Sequence, residues 1–326
     1  MIKNYNVLVD LFKYYGEQRV ALGFDVDLTL RNTMARDTRP EEHVAFMELY
    51  QRTGEGLFVM TGRSSASVDE TLVGQYPGSF EHHSAIRLEQ NGDIIALAPR
   101  IDTAEIGRKA AEIINGDVFI VREPRDVIDA EGKYACVYPE IKQFAVALVH
   151  SLGHSEVDAV RTKLQQVATR ILTDMGIKDT HKIAVGSDAI EIVPLGLCND
   201  SPAHGILPDD QISLLRNQGL SKSTGLHNLM TASHLRGRMP IVIGDSGTDG
   251  HAMNVAAQEF GGGGVWVSNG KPVPQQFKEA VDGRVISNFS LTWDHIRAAN
   301  DYLRAKQRTV IVGPSVAIAP DAPEAV

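Results

Sequence analysis

Three short apolar runs limit what this chain can become. Val20-Ala21-Leu22, Leu57-Phe58-Val59-Met60 and Ile241-Val242-Ile243 read as short buried strands, and each is soon followed by polar residues. Between the first two, Pro40-Glu41-Glu42 makes a good first helical turn, with Pro where its missing N–H costs nothing and acids that suit the helix dipole. Val68 and Leu72 mark a further helix, and Leu8, Leu11, Phe12 and Tyr15 recur at helical spacing before the first run. A β-α-β-α order implies a parallel sheet with right-handed crossovers, and open sheets of this kind bind ligands at the carboxyl ends of their strands.

The residues at those ends are acidic and polar. Phe24-Asp25-Val26-Asp27-Leu28-Thr29 follows the first run, Thr61-Gly62-Arg63 the second and Gly244-Asp245-Ser246-Gly247-Thr248-Asp249 the third. Carboxylates two residues apart repel unless something positive sits between them. A hard cation with oxygen ligands is one solution, and a solvated pair at a strand end is the bland alternative. Ser221-Lys222-Ser223-Thr224-Gly225 opens an amphipathic helix carrying Leu226, Leu229 and Met230. Taken singly, Lys222 could be a solvated helix-start lysine, and Thr61 and Asp249 could be N-caps.

Taken in order, the set resembles the haloacid dehalogenase superfamily of phosphotransferases, whose pattern is Asp-x-Asp-x-Thr, a strand-end Thr, a Lys, then Gly-Asp-x-x-x-Asp. The resemblance implies an α/β fold with a Rossmann-like parallel-sheet core. It also implies that Asp25 attacks phosphorus to form an aspartyl-phosphate, while Asp27 protonates the leaving oxygen and then deprotonates the attacking water. Mg2+ would be held by Asp25, the backbone carbonyl of Asp27 and Asp245, with Asp249 as a direct or outer partner. Thr61 and the N–H of Gly62 would bind phosphate oxygens, and Lys222 would neutralise both the phosphate and Asp25.

Beyond the second strand, runs at 85–89 and 94–97 flank Asn91-Gly92, a strong hairpin cue. After Pro99 the pattern changes. A helix over 103–115 closed by Gly116 precedes strand-like runs at 118–121, 135–138 and 144–149. Ser155-x-x-Asp158 resembles a capping box for a long helix with Val157, Val160, Leu164, Val167 and Ile171 on one face, ended by Gly176, and 189–193 reads as a last strand. We therefore assign 100–194 to an inserted α+β cap domain over the active face, 1–99 and 195–312 to the core, and 313–326 to a disordered Pro- and Ala-rich tail. Residues 195–220 read as a loop with one short helix. A helix is expected to begin near Asp249, and the glycine run 261–264 reads as a flexible turn before a strand at 265–267, since Gly270-Lys271 is followed by Pro272 and not by Ser or Thr. Trp293, Ile296 and Leu303 mark a final helix.

The insert carries a narrower resemblance. Glu81-His82-His83-Ser84-Ala85-Ile86-Arg87 looks like the Glu-His-Gly-Ala-x-x-Arg stretch of trehalose-6-phosphate phosphatases. Glu140-Ile141-Lys142, with a strand running to His150, looks like their Glu-Asp-Lys and strand-ending His, and Glu191-Ile192-Val193-Pro194 like their Glu-x-Arg-Pro. This implies a Mg2+-dependent phosphatase for trehalose-6-phosphate or a related glycosyl phosphate, with Glu140, Lys142 and Glu191 holding the sugar. Departures are Leu28 where the family has Gly, Ser246 and Gly250 in place of acids, Val193 in place of Arg, and no Tyr-Arg after His150. A phosphomutase, which would share Asp25 and Asp27, and a non-catalytic sugar-phosphate-binding protein are the alternatives.

Other polar residues read more plainly. No acid or Cys completes a ligand set with His82-His83, which reads as a polar loop at the cap hinge, and His227 and His234 read as a partly buried helix face. A formal net charge of −9 argues against general nucleic-acid binding. No apolar run approaches the roughly 20 residues of a membrane helix. Cys136 and Cys198 form no Cys-x-x-Cys pattern, and the start lacks the apolar core of a signal peptide, so a cytoplasmic protein with reduced thiols is expected.

Overall fold

The computed structural model describes residues 6–31, 39–99, 101–116, 136–151, 157–185 and 189–311. The expected tail, the expected strand at 118–121 and the Ser155 capping residue lie outside them. In the first part of the chain, α1 (Val7–Tyr15), β1 (Val20–Phe24), α2 (Pro40–Arg52), β2 (Leu57–Met60), α3 (Ser65–Leu72), β3 (Gly78–Phe80), β4 (Ala85–Arg87) and β5 (Ile95–Ala96) follow one another. After α4 (Thr103–Gly116) come β6 (Cys136–Ile141), β7 (Val146–Ser151), α5 (Val157–Asp174), β8 (His181–Val185) and β9 (Ala189–Pro194). The chain closes through α6 (Asp209–Gln218), α7 (Lys222–Ala232), β10 (Met239–Gly244), α8 (Gly247–Phe260), β11 (Gly263–Val267), α9 (Lys278–Val281), β12 (Val285–Ile286) and α10 (Phe289–Ile311).

Two sheets result. The larger has the order β12-β11-β10-β1-β2-β3-β4-β5, parallel from β12 to β3 and antiparallel at β4 and β5. Every residue of β1, β2 and β11 is buried, as central parallel strands with both faces covered must be. The order matters because β1 lies between β10 and β2, so the ends bearing Asp25, Thr61 and Asp245 adjoin on one edge. The helices α2 and α10 pack together, with α1 on α10, while α7 and α8 form another packed pair.

The smaller sheet, β6-β7-β9-β8, is wholly antiparallel. Its strands alternate: Val146, Leu148, Ile190 and Ile192 join Ile106 and Ala110 of α4 and Leu164, Ala168 and Ile171 of α5 in a separate apolar cluster. The other face of the same strands carries Glu191 and Val193, with Ala184 opposite Glu191 and Lys182 opposite Val193. This face is covered by neither α4 nor α5.

Several expectations need correction. The three-residue β3, β8 and the two-residue β12 were not foreseen. β8 alternates too weakly, with His181 and Lys182 interrupting its apolar pattern, and β3 and β12 are too short to show a period. Segment 195–220 holds a ten-residue α6 besides a short 3-10 turn at Pro202–Gly205. Helix α8 begins at Gly247 with Ser246 as its N-cap, in keeping with the start expected near Asp249. Gly263 and Gly264 belong to β11 and not to a turn; a Cβ on Gly264 would lie 2.3 Å from Met253 of α8, so close helix-on-strand packing uses the missing side chain. No helix among the described residues is long and apolar enough to cross a membrane.

Candidate active site

The site starts from β1. The N–H of Asp25 donates to the Ile243 carbonyl of β10 over 2.9 Å, which fixes Asp25 at the junction of the two strands. Lys222, first residue of α7, reaches this point through a capping box in which Ser221 and Thr224 satisfy each other's backbone N–H groups. Its Nζ lies 3.0 Å from Asp25 Oδ1 and 2.6 Å from Asp249 Oδ1. Lys222 is buried, so it is no solvated helix-start lysine.

Asp249 is the N3 residue of α8, not its N-cap. Its Oδ2 accepts from the Ser246 hydroxyl at 2.5 Å and from the Ser246 N–H at 3.1 Å, while its Oδ1 accepts from Lys222. Both oxygens are therefore engaged. Thr61 is buried at the end of β2, its N–H donating to the Ser79 carbonyl and its Oγ1 accepting from the Arg63 N–H. It caps no helix, because Ser64 is the N-cap of α3.

Asp25, Asp245 and Asp249 each offer a carboxylate oxygen within 4.8 Å of the others, a set that could hold a metal ion. The electrostatics agree with an excess of negative charge. Burial pushes the Asp25 carboxyl up to about 8 against the pull of Lys222, and the carboxylates of Asp249, Asp27 and Asp245 add to the rise. Burial, with Asp249 adding to it, raises Asp245 to about 6. Burial alone would lower Lys222, yet Asp249 and Asp25 outweigh it and raise its pKa.

The Asp27 side chain stands apart from this cluster. Arg63 grips it with both ends of its guanidinium, Nε to Oδ2 at 2.7 Å and Nη2 to Oδ1 at 2.6 Å. Arg63 was not singled out from the sequence, although it directly follows Thr61-Gly62. The next residue, Leu28, has φ 54°, a left-handed conformation that explains why Gly occupies this position in the family the sequence resembles.

The second group of expected residues meets the first through an unusual turn. Glu81, His82 and His83 have φ of 49°, 56° and 71°, three consecutive non-glycine residues in the left-handed region. The turn sends its three side chains to three places. Glu81 accepts the N–H groups of Gln143 (3.0 Å) and Phe144 (2.7 Å) in the β6–β7 connection, and Phe144 itself packs into the apolar core of the larger sheet. His83 is buried between Ser79 Oγ (3.0 Å) and Asn228 Oδ1 (2.7 Å) of α7; burial lowers its pKa to about 4 although Asn228 favours the charged form. The His82 Nε2 lies 2.6 Å from Glu191 Oε2, a contact aligned poorly for a hydrogen bond but close enough for an ion pair when the ring is protonated.

Glu191 is also 2.8 Å from the Lys142 ammonium. Burial would raise its pKa, but His82 and Lys142 outweigh that and hold its carboxyl well below the usual range. Lys142 and Glu191 thus come together, joined by His82, which from the sequence alone reads as part of a polar loop. A Cβ on Gly62 would lie 3.1 Å from His82 Nε2, so this ring connects the expected phosphate-binding turn to the smaller sheet. Glu140 lies in β6, and its side chain is outside the described residues. His227 pairs with Glu259 and stacks edge-on with Phe260, and His234 bonds the Glu55 carbonyl; neither adjoins the acidic cluster.

A cavity of about 610 Å³ lies between the larger and smaller sheets, lined by residues that include His82, Lys222, Thr248 and His251 from one side and Lys182, Ala184 and Val193 from the other. Gly225 of α7 makes the close approach behind it possible, since a Cβ there would come within 2.5 Å of Ser79 Oγ and 3.0 Å of His83 Nδ1.

The sequence matches no protein-family model and no curated protein. Solved structures do match. The C-terminal domain of trehalose-6-phosphate phosphatase from C. albicans is similar with a TM-score of 0.59 and 14% identity, over 92% of this chain and 98% of that one. A trehalose-6-phosphate phosphatase related protein is similar with a TM-score of 0.53 and 15% identity, over 88% of this chain and 100% of that one. At such identity the likeness is one of fold: this chain shares the fold of these two structures.

Proposed function

We propose that this chain is a sugar-phosphate phosphatase that works through an aspartyl-phosphate on Asp25. The observation that carries the reading is the buried cluster at the ends of β1 and β10. Three carboxylates converge there with one ammonium, and Asp25 and Asp245 have raised pKa values. Such a cluster holds more negative than positive charge, and its all-oxygen donor set suits a hard divalent ion such as Mg2+. Asp25 and Asp245 would be its ligands, with the backbone carbonyl of Asp27. Asp249, with both oxygens engaged, would mainly hold Lys222 in place. When bound, the ion would neutralise charge on the phosphoryl oxygens.

The chain's own residues supply the rest. An oxygen of Asp25 attacks phosphorus while the bond to the alcohol oxygen breaks, and Asp27 gives that oxygen its proton. Water then attacks the phosphorus and passes a proton to Asp27, releasing phosphate and regenerating Asp25. Lys222 offsets the charge of the transferred group, Thr61 and the Gly62 N–H bind its free oxygens, and Arg63 orients Asp27. Residues 100–194 would act as a cap, with Lys142, Glu191 and Glu140 meeting the alcohol portion.

Trehalose 6-phosphate, the substrate in the names of the two compared proteins, heads a panel of glycosyl phosphates to be tested with p-nitrophenyl phosphate as reference. Phosphate release should require a divalent ion, stop in excess chelator and vanish in Asp25→Asn with the fold intact by circular dichroism. Substantial turnover by that variant would sink the mechanism. Transfer of the phosphoryl group to a second hydroxyl of the sugar, without release, would indicate a mutase instead.

A further inference from the structure

The cavity between the sheets has a composition at odds with the protein around it. The chain carries a net charge of −9, yet no carboxylate is among the residues that line this space. The lining offers amides (Gln218, Asn254, Gln258), the imidazoles of His251 and of His82, the latter already set against Glu191, and two ammonium groups, Lys222 and Lys182. Lys222 is already matched by Asp25 and Asp249. Lys182 is not: it is exposed, and no ion pair or hydrogen bond joins its side chain to any described residue. The register explains its direction. Lys182 stands opposite Val193 on β9, two residues along from the Ala184–Glu191 pair, so it shares the open face with Glu191 and not the face packed on α4 and α5. Val193 beside it is apolar and Ala184 is small, and all three line the cavity, which leaves room around the ammonium.

We propose that the alcohol released by this enzyme carries a second anionic group, a carboxylate or another phosphate, bound by Lys182. The proposal rests on the phosphatase reading above and narrows it, favouring charged sugar phosphates over neutral glycosyl phosphates. A neutral alcohol could use the amides, but it offers no charge to an ammonium that has no ion pair among the described residues. An anion at the far end of the substrate forms a charge-assisted hydrogen bond there and leaves the acidic crevice to the phosphoryl group alone.

The test compares kcat/KM on 6-phosphogluconate (a carboxylate) and fructose 1,6-bisphosphate (a second phosphate) with glucose 6-phosphate and trehalose 6-phosphate, in wild type, Lys182→Met and Lys178→Met. Lys178 is an exposed lysine outside the cavity and controls for general charge. At least one doubly anionic ester should be preferred by about tenfold, equivalent to about 1.4 kcal/mol, and which one shows whether carboxylate or phosphate is held. Lys182→Met should erase that preference and Lys178→Met should keep it. Equal use of both classes by wild type, or a preference untouched by Lys182→Met, overturns the proposal while phosphatase activity itself stands. If no ester, p-nitrophenyl phosphate included, releases phosphate with any divalent ion, the phosphatase reading falls. Calorimetric binding of the same esters then decides the cavity: tighter binding of the doubly anionic ones, lost in Lys182→Met, supports the Lys182 site, and equal binding refutes it.

Discussion

At the scale of single residues, the two aspartates of the first strand end do different work because their neighbours differ. Asp25 is buried against Lys222, whereas Asp27 is half-buried in the grip of Arg63. A lysine at 63 keeps the charge but not the fork. Arg63→Lys should therefore slow hydrolysis of alkyl phosphates about tenfold or more, and that of p-nitrophenyl phosphate, whose leaving group needs little protonation, much less. Equal losses on both would show that Arg63 does not act through Asp27. Leu28 adds local strain at φ 54°. Leu28→Gly should raise the free energy of unfolding by up to about 1 kcal/mol in denaturant titrations, and a clear loss would mean that the Leu28 side chain contributes more than its backbone costs. His83 is the pH-sensitive member of the set. Its folded pKa, about 4, lies below its ordinary value of 6.5, so the native state binds fewer protons than the unfolded chain between those pH values. Its contribution is present above pH 6.5 and is lost as pH falls towards 4, on the order of 3 kcal/mol in all. The stability advantage of wild type over His83→Gln should shrink over that window, and a constant gap would refute the assignment.

Among the elements, α7 and the left-handed turn at Glu81, His82 and His83 decide how the site is assembled. Gly225 lets the helix settle against Ser79 and His83, and Lys222 lies one turn before it on the same helix. Gly225→Ala would force the helix outwards by a few tenths of an ångström or more. It should lower kcat on every phosphate ester, p-nitrophenyl phosphate included, since displacement of a charge by about 1 Å can cost about a hundredfold. Unchanged kcat would show that Lys222 adjusts independently of its helix. The strand-end residues Asp25, Thr61 and Asp245 were legible in the sequence because each follows an apolar run, and Lys222 because it opens an amphipathic run carrying Leu226, Leu229 and Met230. The turn was not legible. Non-glycine residues in three successive left-handed positions follow no propensity, and the tertiary bonds of Glu81 and His83 hold them there. His82 was overlooked for the same reason, although it occupies the His position of the stretch that resembles trehalose-6-phosphate phosphatases. Strands β3 and β12 escaped because two or three residues show no period, and β8 because charged Lys182 faces the cavity and breaks the apolar pattern.

For the molecule as a whole, Glu81 is one of the ties between the sheets. Its carboxylate holds the N–H groups of Gln143 and Phe144, and burial raises its pKa against those bonds. Glu81→Gln keeps the shape but loses one of two acceptors. Amide exchange at Gln143 and Phe144 should quicken about tenfold or more, and kcat/KM should fall further for sugar phosphates than for p-nitrophenyl phosphate. Unaltered exchange would mean that Phe144 packing alone holds the connection. The two sheets also carry very different obligations. Charges at the strand ends of the larger sheet are buried and mutually dependent, so changing one strands the others. On the open face of the smaller sheet, Lys182, Ala184 and Val193 belong to neither apolar cluster. If the proposed function holds, chemistry and selectivity are inherited on separate surfaces, and a lineage could drift from one sugar phosphate to another through single changes at 182, 184 or 193 while the reaction centre stays as it was.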